Sequence, residues 1–422
     1  MTKTITPTII NGIIAAPASK SSMQRACAAA LLHNGKTIIY NAGISNDDKA
    51  ALSIIAKLGA IINFKENFLE IISKGIIGNN IANNEIINCG ESGLSIRMFT
   101  PIAALSTSFI TILGSGSLQN RPMNFFDEIF PQLGIFIKSK NGKLPLEIKG
   151  SLVPKDINVD GSLSSQFLTG LLFALGQSVT DQCTITVDNL KSKPYIDLTL
   201  HIMKHFGFNI VHQNYERFII YKKNNTENNE IVYNVEGDWS SASFLLVAGA
   251  IAGEVSVKGL DISSTQADKA ILQVLQLSNA YVSISEEEIT VRKNKLKPFV
   301  FDATDCPDLF PPMVALAAYC EGKSVLYGIH RLAAKESDRA KTLQDVFGKM
   351  GIQITLQEND CMIIEGGIIN TATVSSHHDH RIAMAAAIAA LGAQGDITIT
   401  DADAIDKSYP GFYEDLKQLG SS

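Results

Sequence analysis

Lys57-Leu58-Gly59-Ala60 is where the reading of this chain turns: an amphipathic run ends on an apolar residue, a glycine follows, and a short apolar run, Ile61–Phe64, begins. The same signal returns as Gln132-Leu-Gly-Ile, His205-Phe-Gly-Phe, Leu277-Ser-Asn-Ala, Lys349-Met-Gly-Ile and Gln418-Leu-Gly. Glycine, and less readily asparagine, suits the left-handed conformation that closes a helix, because any Cβ is penalised there. The closing positions 59, 134, 207, 279, 351 and 420 lie 75, 73, 72, 72 and 69 residues apart. A near-constant period of that length marks repeated copies of one structural unit.

Working outward, each copy opens on an Ala/Leu-rich helix: Met23–Leu32, Ser95–Leu105, Gln166–Leu175, Ala242–Ala252, Pro312–Tyr319 and Ile382–Leu391. A short strand and an amphipathic helix follow, and a hairpin closes most copies, as in Ile61–Phe64 with Leu69–Ile72. The order is strand, buried helix, strand, exposed helix, hairpin. An eightfold β/α barrel does not fit, since its unit is about 30 residues long and has no hairpin. The class is α/β, with three copies per domain and the midpoint near residue 235.

Composition agrees. The 422 residues exceed one ordinary core, and a hydrophobic fraction of 45% is ample for two. A net charge of −6 argues against a general nucleic-acid or anionic-membrane binder. No apolar run approaches the roughly 18 residues of a membrane span, and Met1-Thr-Lys-Thr-Ile-Thr-Pro7 lacks a signal-peptide core. Six cysteines without a C-x-x-C pair read as reduced core thiols. The expected compartment is the cytoplasm.

Polar residues gather at helix starts. Before the buried helices stand Ser19-Lys-Ser-Ser-Met-Gln-Arg25, Glu91-Ser-Gly-Leu-Ser-Ile-Arg97, Ser162-Leu-Ser-Ser-Gln166, Asp238-Trp-Ser-Ser, Cys306-Pro-Asp308 and His378-Asp-His-Arg381. Asn120-Arg-Pro122, Lys191-Ser-Lys-Pro-Tyr195, Lys335-Glu-Ser-Asp-Arg339 and Asp406-Lys-Ser-Tyr-Pro410 are expected to open exposed helices, with Pro122 and Pro194 at first helical positions. Each segment by itself reads equally as an ordinary helix cap. Together they carry cations where the helix dipole favours acids, which points to anion pockets for a ligand of several negative charges. Asp308 and Glu336 lie among them and suit proton transfer. His377-His-Asp-His380 invites a metal, but no second ligand cluster with metal spacing accompanies it. Walker, dinucleotide and nucleophile-elbow motifs are absent from the sequence.

Pro17-Ala-Ser-Lys-Ser, Gln119-Asn-Arg-Pro122, Ser164-Ser-Gln-Phe, Ser192-Lys-Pro-Tyr-Ile-Asp197, Glu236-Gly-Asp, Pro307-Asp308, Lys335-Glu-Ser-Asp-Arg339, Asp379-His-Arg381 and Lys407 occur in this order. On these motifs, over essentially its whole length, the chain resembles the 5-enolpyruvylshikimate-3-phosphate synthase family. The resemblance implies two similar domains, each of three βαβαββ repeats in an inside-out α/β barrel, with the active site in the cleft between them. Domain I would be 1–18 plus 236–422, and domain II 19–235. It implies transfer of the enolpyruvyl group of phosphoenolpyruvate to the 5-hydroxyl of shikimate 3-phosphate, in aromatic amino acid biosynthesis. It also implies a monomer with no cofactor or metal, partnering neither nucleic acid nor membrane.

By the same resemblance, Asp308, Glu336 and Lys20 would move protons. Lys20, Ser21, Arg25, Ser164, Ser165, Gln166, Ser192, Tyr195, Asp308 and Lys335 would hold shikimate 3-phosphate. Phosphoenolpyruvate would meet Lys20, Gly93, Arg121, Gln166, Arg339, Arg381 and Lys407. Departures from the family pattern are Ala18 for Gly, Glu91 for Asn, Leu94 for Thr and Met98 for Pro or Leu. Those around Gly93 imply partial tolerance of the inhibitor glyphosate, and Glu91 adds a carboxylate for which a neighbouring Arg is the natural partner. The sister UDP-N-acetylglucosamine enolpyruvyl transferases usually carry a reactive Cys where this chain has Gly116. A non-catalytic binder of anions or RNA ends would have no use for Asp308 and Glu336.

Overall fold

A computed structural model describes residues 1–76, 81–223, 230–333 and 335–420. The chain forms two compact units, Met1–Pro17 with Glu236–Ser422, and Ala18–Val235. The unit Ala18–Val235 holds three four-stranded sheets and the buried helices Lys20–Leu32, Gly93–Ala103 and Ser165–Ser178, which pack on one another. Helices occupy the centre because they are apolar on nearly every face, and such a helix must be enclosed. The sheets need cover on one face only, so they lie outside, with alternating burial as in Ile157–Asp160. Gly170 permits close helix packing, since a Cβ there would stand 2.6 Å from the Arg97 carbonyl oxygen.

The other unit repeats the plan around Trp239–Ala252, Phe310–Ala317 and His380–Ala390. Every residue of Trp239–Ala252 is buried. Two of its sheets are four-stranded, each a parallel pair extended by an antiparallel hairpin. The third has Thr2–Ile5 antiparallel to Ile397–Thr400 in place of the hairpin. The strands near the unit boundaries are exchanged. Ile10–Ala15, just before the first buried helix, runs parallel to Gly253–Lys258, while Glu230–Asn234 runs parallel to Asn34–Tyr40.

The repeat signals keep their predicted conformation at Gly59, Gly134, Gly207, Asn279 and Gly351, all with positive φ. Gly420 differs: its φ is −87°, and its amide still bonds back to the Leu416 carbonyl, so the helix Phe412–Leu419 has not turned over there. The predicted hairpin of Ile61–Phe64 with the following strand forms, and hairpins of the same kind close four further copies. The buried helices begin up to three residues earlier than their apolar runs, because polar caps and first turns belong to them. All six cysteines are free and buried. Among the described residues no helix is long and apolar enough to cross a membrane.

Candidate functional site

Asp308 lies in the tight turn Pro307–Leu309 that feeds the buried helix Phe310–Ala317. Its Oδ1 accepts from Arg339 Nη1 at 2.7 Å and Lys335 Nζ at 3.2 Å, and its Oδ2 from Arg381 Nη2 at 3.1 Å. Arg339, only 1% exposed, opens the helix Arg339–Lys349 and ties the group together. Its Nε donates to Asp379 at 2.8 Å and its Nη2 to Glu336 at 2.5 Å. Lys407 Nζ stands 3.6 Å from the second Glu336 oxygen. Asp379 caps the helix His380–Ala390 through the Arg381 amide, so one carboxylate both ends that helix and clamps Arg339.

The charges shift accordingly. Burial would raise the Asp308 carboxyl, but Arg381, Lys335 and Arg339 overcome it and hold the group well below the usual carboxylate range. Burial lowers the Lys335 ammonium. Burial also opposes the charge on Arg339, yet Asp379, Glu336 and Asp308 together raise it above its ordinary value.

The unit Ala18–Val235 carries its own set. Arg25, buried on the helix Lys20–Leu32, donates Nε to Thr199 Oγ1 at 2.8 Å, Nη1 to the Ser21 carbonyl at 2.8 Å and Nη2 to the Tyr195 carbonyl at 3.4 Å. Burial pulls it down to about 10. Lys20 Nζ pairs with Asp47 Oδ2 at 3.0 Å. Gly93 is the first residue of its helix, and a Cβ there would meet Arg121 Nη1 at 2.7 Å and Arg97 Nη1 at 3.5 Å. Arg97 Nη1 donates to Gln166 Oε1 at 2.8 Å, and Arg121 Nη2 to Ser117 Oγ at 3.2 Å. Ser164 is a helix cap, accepting from the Gln166 amide at 3.3 Å, with Ser165 buried beside it. Ser192 stands at φ 55° before the helix Lys193–His205 and does not cap it with its side chain.

Two sequence expectations need correction. Arg121 and Lys407 do not open helices: Arg121 follows the 3-10 turn Gly116–Asn120 and Lys407 ends the turn Ala402–Lys407. Pro122 lies outside any helix, and the next one starts at Asn124 with Met123 before it. Lys335 and Glu336 likewise precede their helix, which Asp338 caps.

Two pairings escaped the sequence reading, that of Asp379 with Arg339 and that of Asp47 with Lys20. Asp379 carried the signal of a cap just before a buried helix, Asp47 that of an acidic first turn in Asn46–Lys57. The His377-His-Asp-His380 side chains find separate acids: His377 lies 3.6 Å from Asp345, His378 3.9 Å from Asp401, and Asp379 serves Arg339. Glu91 has its carboxylate over Gly116, where a Cβ would stand 2.4 Å from the carboxyl carbon, and Gly116 has φ 54°.

A family model described as EPSP synthase (3-phosphoshikimate 1-carboxyvinyltransferase) matches residues 5–416. The chain belongs to the EPSP synthase family. It is a transferase of that family, and similar proteins include the 3-phosphoshikimate 1-carboxyvinyltransferases of Clostridium botulinum strain Alaska E43 and Clostridium perfringens strain ATCC 13124. Each is 36% identical, with 99% of this chain and 97% of the relative covered. An EPSP synthase structure from Acinetobacter baumannii superposes with a TM-score of 0.81 at 26% identity, over 99% of this chain and 98% of that one. At 16% identity and a TM-score of 0.78, an enolpyruvyl transferase of Streptomyces tendae shares the fold. The mixed α/β architecture is thus that of EPSP synthases.

Proposed function

We propose that this transferase carries out the EPSP synthase reaction of the shikimate pathway with the two residue sets described above. The enolpyruvyl group of phosphoenolpyruvate passes to the 5-hydroxyl of shikimate 3-phosphate, and phosphate leaves. In the addition step a proton joins C3 of phosphoenolpyruvate, the hydroxyl oxygen bonds to C2, and the hydroxyl proton goes to a base. In the elimination step C3 returns a proton and the C2–O bond to phosphate breaks.

Asp308 is the base for the hydroxyl, Glu336 exchanges the C3 proton, and Lys20 assists. The observation that carries this reading is the partly buried contact of Asp308 with Lys335, Arg339 and Arg381, beside Glu336 on the same arginine. A carboxylate held so firmly is a weak base while those cations face it alone. Two phosphates and two carboxylates arriving with the substrates share the cations, so Asp308 becomes basic only when both substrates are present.

Ser21, Arg25, Ser164, Ser165, Gln166, Ser192, Tyr195 and Lys335 grip shikimate 3-phosphate in this scheme, with Lys20 and Asp308 in contact as well. Gly93, Arg121, Arg339, Arg381 and Lys407 receive phosphoenolpyruvate, and Lys20 and Gln166 touch both. No cofactor enters, since phosphoenolpyruvate brings its own leaving group. The reading includes a cytoplasmic monomer. A nucleotide-sugar acceptor is disfavoured because Glu91 fills the space over Gly116 that a reactive side chain would need.

The test is phosphate release from phosphoenolpyruvate, in EDTA, with shikimate 3-phosphate or UDP-N-acetylglucosamine as acceptor. Release with shikimate 3-phosphate alone is expected. Release with only the nucleotide sugar, or with neither, would refute the proposal.

A further inference from the structure

Gln24 belongs to neither set, although it lies among members of both. It stands one turn after Lys20 and just before Arg25 on the buried helix Lys20–Leu32, and it is wholly enclosed. Its Oε1 accepts from Ser92 Oγ at 3.1 Å and from Ser95 Oγ at 2.9 Å. Both serines are fully buried, and Gly93 lies between them as the first residue of the helix Gly93–Ala103. Ser92 also caps that helix, its Oγ accepting from the Ser95 amide at 3.2 Å.

A serine hydroxyl has one proton to give, and in a first helical turn it ordinarily bonds to backbone close by. Here both protons cross to another helix and fill the two lone pairs of one amide oxygen. The Gln24 amide nitrogen, by contrast, is buried with no hydrogen-bond partner among the described residues. A donor left in that way is costly, and an apolar side chain of the same length would avoid the cost. What the glutamine adds is geometry. Beyond Arg25 its helix continues only with alanine, cysteine and leucine, whose contacts have no direction. Two hydrogen bonds to one oxygen do have direction, and they fix where the turn carrying Gly93 stands along the helix Lys20–Leu32.

We propose that Gln24 is a positioning residue that, through Ser92 and Ser95, holds Gly93 in register with Lys20 for phosphoenolpyruvate. This rests on the reading above in which Gly93 and Lys20 receive that substrate. Space at Gly93 is tight: a Cβ there would stand 2.7 Å from Arg121 Nη1, so a small slide of the turn changes how the glycine meets that guanidinium. A turn placed beforehand loses no freedom on binding, so the benefit appears as affinity. Shikimate 3-phosphate, gripped in the same reading from Ser21, Arg25 and the start of the helix Ser165–Ser178, does not depend on this turn.

Steady-state kinetics of Gln24→Met, Ser95→Ala and the double variant test the idea. Gln24→Met removes the shared acceptor and is expected to raise KM for phosphoenolpyruvate about tenfold, with kcat and KM for shikimate 3-phosphate within about threefold of the unaltered enzyme. Ser95→Ala removes one of the two bonds and raises the same KM about threefold. Because both changes act on one oxygen, the double variant shows no more than the rise of about tenfold seen for Gln24→Met alone. An unchanged KM for phosphoenolpyruvate, an equal rise for both substrates, or a rise of about thirtyfold in the double variant overturns the proposal. A second measurement needs no turnover: urea unfolding of the same three variants. Less than additive midpoint shifts are expected, and additive ones overturn the link between Gln24 and Ser95. An unaltered enzyme that transfers to no acceptor refutes the reading of the site instead, and the urea series still judges the link. Should Gln24→Met fail to fold, Ser95→Ala decides, and a KM for phosphoenolpyruvate equal to that of the unaltered enzyme overturns the proposal.

Discussion

Arg25 and Arg339 are both about 99% buried, one in each unit, yet they are held in opposite ways. Arg339 faces Asp308, Glu336 and Asp379, and its charge is reinforced. Arg25 donates to a threonine hydroxyl and two backbone carbonyls, and burial weakens its charge. The difference separates two tasks. Cations balanced by carboxylates form a medium in which protons can move, whereas a desolvated cation on neutral oxygens retains a strong pull on an incoming anion. The first arrangement suits chemistry and the second suits grip.

The largest expected effect comes from breaking the reinforced side. Arg339→Met takes the shared counter-charge from buried Asp379 and from the partly buried Asp308 and Glu336, and removing one partner of a buried pair costs about 3–5 kcal/mol. Turnover should fall at least a thousandfold and the urea midpoint should drop; a stable, active variant would dissolve the contrast. Asp308→Ala sharpens it, since kcat should collapse while both substrates still bind by calorimetry. Arg25→Met tests the gripping side. Loss of a charge-assisted contact is worth about 1.5–3 kcal/mol, so KM for shikimate 3-phosphate should rise about 10- to 100-fold with a much smaller change in kcat.

A smaller change is Gly93→Ala. Its Cβ, 2.7 Å from Arg121 Nη1, displaces the guanidinium and should raise KM for phosphoenolpyruvate by about tenfold, roughly 1.4 kcal/mol, without touching shikimate 3-phosphate. The smallest concerns Asp48, whose carboxyl burial pushes up to about 6 despite its Ser45 cap and Lys20. A folded-state value above the unfolded one means that ionisation costs stability, so that part of stability is present below pH 4 and lost between about pH 4 and 6. Asp48→Asn should flatten this segment of the pH–stability curve, with a net change of about 1 kcal/mol after the weakened cap is counted. An unaltered slope in urea titrations would assign it to other groups.

Much of the fold could be read directly. Left-handed helix ends and apolar helices are local demands of glycine and of hydrophobic patterning, and Gly59, Gly134, Gly207, Asn279 and Gly351 met them. The helix at Gly420 did not follow, because a glycine permits a left-handed end without compelling one. The placement of candidate site residues was legible where cations stood at helix starts, as at Lys20 and Arg381. They were misplaced at Arg121 and Lys407, where short 3-10 turns leave no periodic pattern to read.

The sequence by itself determined the repeated unit, its α/β class and the inventory of charged residues, since these depend on neighbours a few positions apart. Only the tertiary structure decided which charges meet. Asp308 and Asp379 reach Arg339 from distant turns and helix caps, where Glu336 joins them from three residues away, and Glu91 rests over Gly116 within one repeat. Exchanged strands such as Ile10–Ala15 with Gly253–Lys258 show the same division. Pairing over such distances along the chain is set by which surfaces can close around a common core, and no local propensity records it.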